Sequence, residues 1–100
     1  MNLRFHSAAT TELEEGGRYY SKLDPDLGLG FRAEISRLIK NIIGNPQMPR
    51  ERSHRYRRVN FHRFPFYLTY VIRSETIYVM AIAHEKRHPD YWIDRLLDAQ

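Results

Sequence analysis

Cysteine is absent from this 100-residue chain. That removes disulfide frameworks, thiolate metal sites and a cysteine nucleophile together, and it fits a reducing compartment. No apolar run approaches the roughly 20 residues needed to cross a bilayer, and the opening Met1-Asn2-Leu3-Arg4-Phe5 lacks the apolar core of a signal peptide. The expectation is a cytoplasmic protein with no membrane partner. There is no internal repeat, low-complexity segment or linker either, which leaves a single domain spanning residues 1–100.

What the chain does contain is material for a core. Apolar residues make up 42%, with seven Tyr and five Phe, too much for a disordered tail. A domain of this size buries about 65% of its unfolded surface. Charge is distributed unevenly. Between Arg50 and Arg63 six arginines (50, 52, 55, 57, 58 and 63) face one acid, Glu51, a local net of +5 in a chain of +4; the remainder therefore sums to −1. His54, Tyr56 and His62 are set among these arginines. A focused positive field of this kind suits an anionic partner, either nucleic acid or acidic protein.

Periodicity supplies the architecture. Asn2–His6 alternates like a half-buried strand. With Ser7 as the N-cap, Ala9, Leu13, Gly16, Tyr20 and Leu23 mark one helical face, and the Gly16-Gly17 pair implies close packing or a frayed middle. Asp24-Pro25-Asp26 breaks the chain. A second helix then runs from Gly28 or Gly30 to Ile43, with Phe31, Ile35, Leu38, Ile39 and Ile42 inward, Arg32, Glu34, Arg37 and Lys40 outward, and Gly44 and Pro46 at its end. Strands follow at Tyr56–His62, Phe66–Ile72 and Thr76–His84, the last two joined by Arg73-Ser74-Glu75. The run Ile77–Ala83 is apolar at nearly every position, as for a strand covered on both faces. Pro89 opens a short last helix through Tyr91, Trp92, Leu96 and Leu97. The predicted fold is α+β, in the order β-α-α-β-β-β plus a short C-terminal helix, with a helical hairpin on one face of a small, mostly antiparallel sheet.

His84-Glu85-Lys86-Arg87-His88 matches the H-E-x-x-H pattern, for which Asp90 or Asp94 could be nominated as a third ligand. Zinc chemistry needs both imidazoles on one helical face, whereas this run leaves a strand and meets Pro89. No metal and no cofactor are expected.

Several segments, in order, are similar to the RelE/ParE superfamily of small toxins from bacterial type II toxin–antitoxin systems. They are Ala9-x3-Leu13-x6-Tyr20, Gly28-Leu29-Gly30-Phe31-x2-Glu34, Asn45-Pro46, Phe64-Pro65-Phe66-Tyr67-Leu68-x-Tyr70 and Ile82-Ala83-His84-x2-Arg87-x-Pro89-x-Tyr91-Trp92. The resemblance implies a toxin that arrests growth and is silenced by a cognate antitoxin, usually an acidic segment that folds as it wraps its partner. It also implies one of two targets: ribosome-bound mRNA, cut without metal by the RelE-like branch, or DNA gyrase, poisoned by the ParE-like branch. For cleavage, Arg58, Arg63 and Arg87 are the candidates to hold phosphate, His84 the base or acid, and Tyr91 a stacking or donor group, so that the catalytic set would be Arg63, His84 and Arg87. Tyr67, however, stands where many RelE-like nucleases carry an arginine. That departure, with the Phe-Pro-Phe-Tyr entry and the ending from His84 to Trp92, implies the gyrase-directed side, with Arg55, Arg57, Arg58, Arg63, Arg87 and Tyr91 as target-binding residues.

Overall fold

Strand alternation and helical stripes assemble into two helices laid on one face of a four-stranded sheet. The structure, a computed structural model, describes residues 1–99. In chain order the elements are β1 (Asn2–Phe5), α1 (Ser7–Leu23), α2 (Pro25–Gly44), β2 (Arg57–Asn60), β3 (Phe66–Arg73), β4 (Thr76–His84) and a closing 3₁₀ helix (Ile93–Asp98). The sheet order is β1-β4-β3-β2. β1 runs parallel to β4, and the other pairs are antiparallel. Among the described residues, no helix is long and apolar enough to cross a membrane.

The helix boundaries shift for local reasons. His6, not Ser7, caps α1: its ring nitrogen Nδ1 accepts from the Ala8 N–H at 3.0 Å, and Ser7 is already helical. Asp24-Pro25-Asp26, expected to break the chain before a helix from Gly28 or Gly30, is itself the start of that helix. The Asp24 carboxylate caps α2 through the Asp26 N–H at 2.9 Å and Pro25 takes the first turn, where a missing N–H costs nothing. One residue therefore separates α1 from α2, and Leu23, expected inward, is exposed.

Close approach explains the first glycine of the pair. A Cβ at Gly16 would stand 2.6 Å from the buried Phe31 ring. The helix is continuous through both glycines, and at Gly16 closeness to α2 offsets the low helix propensity.

β4 is buried on both faces, and a bulge explains its unbroken apolar run. Thr69 pairs with Ala81 but Tyr70 pairs with Val79, leaving Met80 as the extra residue. Alternation is thereby reset. Ile77, Val79 and Ile82 join Phe31, Ile35 and Leu68 beneath the helices, whereas Met80, Ala81 and Ala83 join Tyr67, Val71 and Trp92 on the far face. The C-terminal segment covers that far face. It forms a turn through Tyr91 and Trp92 and then the 3₁₀ helix, later and tighter than the helix expected from Pro89, with Leu97 pointing outward.

The β3–β4 connection has two residues, Ser74 (φ 50°) and Glu75 (φ 61°), both left-handed without glycine. Asn-Gly is the pair such a turn favours. Ser74→Asn with Glu75→Gly should raise stability by about 1 kcal/mol, read as a Tm increase of roughly 4–8 °C. An unchanged Tm would mean that the turn is not strained.

Candidate functional site

One end of the sheet collects five of the seven side chains singled out above. His84, closing β4, pairs with Phe66, opening β3, and the Glu85 N–H donates to the Pro65 carbonyl at 2.9 Å. The β2–β3 turn and the segment after β4 therefore meet. Arg58 arrives from β2 with its guanidinium 3.8 Å from the centre of the Tyr67 ring and its Nε–H donating to Asn60 Oδ1 at 2.9 Å. Burial pushes the Tyr67 phenol above its ordinary range, and Arg58 partly opposes that.

Arg63 lies in the turn itself and is held through its backbone. The Glu34 carboxylate accepts the N–H of His62 and, at 3.2 Å, that of Arg63. Glu34 was expected on the wet side of α2; it is only 1% exposed, and Arg37 is its ion-pair partner at 3.7 Å. The Arg63 side chain extends over α2, where a Cβ at Gly30 would come within 3.2 Å of its Nη1.

Arg87 and Tyr91 meet a second carboxylate that sequence reasoning passed over. β1 ends at the Phe5–Val79 pair, so the outer edge of β4 beyond Val79 has no strand beside it. Glu12 and Arg95 complete that edge. Glu12 Oε1 accepts the Ile82 N–H at 3.0 Å, and Arg95 Nη1 donates to the Met80 carbonyl at 2.9 Å. Arg95 also grips Glu12 with two hydrogen bonds of 2.9 Å each, the Tyr91 hydroxyl donates to Glu12 Oε2 at 2.6 Å, and Arg87 Nη1 stands 3.6 Å away. Arg87 in turn stacks on the Tyr91 ring at 3.6 Å. Such a fork-to-fork pair is among the stronger charge-assisted contacts.

These contacts set the electrostatics. Burial first, and then the adjoining Glu12 carboxylate, push the Tyr91 phenol well above its ordinary value of 10.0. The hydrogen bond it donates to Glu12 raises Arg95 against the opposing effect of burial. Because the folded-state phenol is raised, Tyr91 contributes fully below about pH 10; its contribution is lost as pH rises further, since the unfolded chain ionises first. The urea midpoint should therefore fall as pH climbs from about 9.5 to 11, and Tyr91→Phe should make the fall shallower. It should not abolish the fall, because burial also raises Tyr20, Tyr67 and Tyr70. An identical slope in the variant would contradict the assignment.

His84 borders a cleft of about 200 Å³ that it shares with Glu12, Glu15, Phe66 and Arg87. Its Nδ1 accepts the Lys86 N–H at 3.1 Å, and its ring lies edge-on to Phe66. His88 likewise receives the Asp90 N–H at 3.1 Å. The H-E-x-x-H run is thus a turn after β4 and not a helix, and each imidazole is engaged in its own local turn. No group of three or more His, Cys, Asp or Glu among the described residues is placed to hold a metal.

Arg58, Arg63, His84, Arg87 and Tyr91 lie toward this end of the sheet but not on one face: Arg63 is on the helix side, over Gly30 and Phe64, whereas Arg58 is on the far side, over Tyr67. Arg55 and Arg57 do not join them. Arg57 Nη1 donates to the carbonyls of Gln47 (2.9 Å) and Pro49, which clamps the α2–β2 connection. Arg55 lies beyond the other end of β2, beside Arg73 and Leu97.

A family model described as the ParE toxin of the type II toxin–antitoxin system, parDE, matches residues 3–89. No curated protein matches the sequence. Among solved structures, the chain is similar to one from the chromosomal ParDE TA system of P. aeruginosa. The TM-score is 0.72, with 84% of this chain and 95% of that chain covered at 20% identity, a likeness of fold.

Proposed function

The chain belongs to the ParE toxin family of type II toxin–antitoxin systems, and on that premise we propose that it arrests growth by docking on an essential target rather than by cutting one, with DNA gyrase as that target. The observation that carries this reading is the Glu12 cluster. A metal-free nuclease needs cationic groups free to meet the scissile phosphate and a base or acid free to move a proton. Here Arg87 is stacked on Tyr91 and faces Glu12, and the Tyr91 hydroxyl is given to the same carboxylate. Tyr67 lies beneath Arg58 rather than supplying a further cation. What remains is a rim of arginines in fixed positions, suited to recognition of an acidic or phosphate-bearing surface.

In this reading Arg58, Arg63 and Arg87 contact the target, and a cognate antitoxin neutralises the toxin in the cytoplasm. Residues 1–100 act as one toxin domain. Purified toxin should inhibit supercoiling by gyrase, and Arg58→Ala with Arg63→Ala should weaken inhibition by at least tenfold. Supercoiling at the normal rate in the presence of excess toxin would remove gyrase.

One observation favours the second reading, a ribosome-dependent mRNA endonuclease. The Arg87 side chain is 54% exposed and borders the same cleft as His84. Translating ribosomes saturated with toxin would then yield cut messages, and Arg87→Ala would slow the cut by orders of magnitude. Intact messages on saturated ribosomes are the result expected here.

A further inference from the structure

The arginines that do not reach the rim form a feature of their own. Asn45–Tyr56, connecting α2 to β2, is tied down at both ends. The Tyr70 hydroxyl donates to the Pro46 carbonyl at 2.6 Å, Arg57 clamps the carbonyls of Gln47 and Pro49, and Tyr56 packs edge-on against Trp92 with centroids 4.8 Å apart. Between these anchors the chain closes on itself. The Arg52 N–H donates to the Tyr56 carbonyl at 2.7 Å, and the Arg55 N–H to the Arg52 carbonyl at 3.0 Å. At the tip His54 (φ 59°) and Arg55 (φ 64°) are consecutive left-handed residues, a conformation in which glycine would carry no steric cost.

Left-handed residues other than glycine cluster at binding and catalytic sites. The Arg55 side chain is 89% exposed and, among the described residues, has only Glu51, at 3.9 Å, as an ion-pair partner. It forms a ridge between clefts of about 250 and 410 Å³. Arg50 and Arg52 make no side-chain hydrogen bond or ion pair among the described residues. No lysine occurs from Asn45 to Arg63; every cation there carries the planar fork that matches phosphate.

We infer that this loop, through Arg50, Arg52 and Arg55, is a binding site for the phosphodiester backbone of a nucleic acid, independent of which target the rim engages. Phosphate is favoured over an acidic protein because residues 50–55 themselves carry no apolar side chain; the exposed Leu97 beside Arg55 belongs to the C-terminal segment and not to the loop. Protein docking centres on apolar or aromatic anchors, whereas backbone phosphate contact needs none.

The test uses purified toxin and a fluorescent 20-base-pair duplex of mixed sequence, without gyrase or ribosomes, so that it succeeds or fails separately from the choice of target. Binding should be saturable and salt-dependent. Arg50→Gln, Arg52→Gln and Arg55→Gln combined should weaken it at least tenfold and flatten the log–log salt slope by roughly 0.9 per lost contact. The charge-matched control Arg18→Gln, Lys22→Gln and Lys40→Gln, exposed on the helices, should change affinity less than threefold. Arg55→Gly should bind more weakly yet melt at a higher temperature, a combination that simple loss of structure cannot produce. Equal losses in the two triple variants would show that only net charge matters. Poly-glutamate competing as well as the duplex at equal charge would identify an acidic protein as the partner. Either result, or an Arg55→Gly variant that melts higher and binds undiminished, overturns the inference.

Discussion

Glutamine at position 12 is expected to lower stability by about 3 kcal/mol, the scale for breaking a largely buried ion pair on one side only. The pair qualifies, with side-chain exposures of 11% for Glu12 and 17% for Arg95. The substitution turns an amide group toward Arg95, weakens acceptance from Tyr91 and Ile82, and loosens the polar cover on the outer edge of β4 beyond Val79. Against a total of 5–15 kcal/mol for a natural domain, a loss of that size is severe, and Tm should fall by more than 10 °C. Salt at about 1 M should reproduce little of the effect, because a buried pair is weakly screened. Combining Glu12→Gln with Arg95→Met should reveal coupling of about 2 kcal/mol in a double-mutant cycle. Strict additivity would mean that the two side chains act separately.

The second large effect is expected at Glu34. Alanine there leaves the His62 and Arg63 amides without their acceptor beneath the β2–β3 turn and removes the counter-charge of Arg37. Each stranded amide costs on the order of 1–3 kcal/mol, so a total near 3 kcal/mol follows. The change should also be visible locally. Amide exchange at His62 and Arg63 should accelerate out of proportion to that of β4, and target inhibition should drop further than the folded fraction does, because Arg63 loses its backbone support. Glu34→Gln, which retains one acceptor oxygen, should fall between alanine and wild type. Exchange at the two amides that merely follows global unfolding would contradict the anchoring role.

Both carboxylates show where sequence reading stops. Glu12 lies three residues after Ala9 and four before Gly16; Glu34 lies three after Phe31 and four before Leu38. Each therefore occupies a buried helical stripe. The positional signal was present, but a charged residue on such a stripe reads as surface until its partners are known, and those partners lie 28 to 83 positions away. By contrast, β4 was legible from Thr76 to His84 because a strand buried on both faces has an apolar composition that little else shares, although only pairing with β3 reveals the bulge at Met80. The helical hairpin was legible from the stripes, and the Asp24-Pro25 start of α2 was obscured because the same residues end one helix and begin the next. His6 was not foreseen as a cap, since imidazole rarely fills that role.

The arginine stretch teaches the same lesson about distance. Residues 50–63 are contiguous in sequence, yet β2 divides them, and a strand of four residues spans about 13 Å. Arg55 and Arg58 consequently serve different ends of the sheet, and Arg57 between them turns inward to hold a loop. Charge counting locates a basic segment; strand geometry decides how many surfaces it becomes.

The account as a whole rests on a toxin that acts by docking. Its most direct test is the order of failure in cells after toxin expression without antitoxin, followed by pulse-labelling of DNA and protein synthesis in one culture. DNA synthesis should stop first, with loss of plasmid supercoiling, while messages stay intact and protein synthesis continues for several minutes. Protein synthesis failing first, with messages cut within their coding regions, would contradict it and return Arg87 and His84 to a catalytic role.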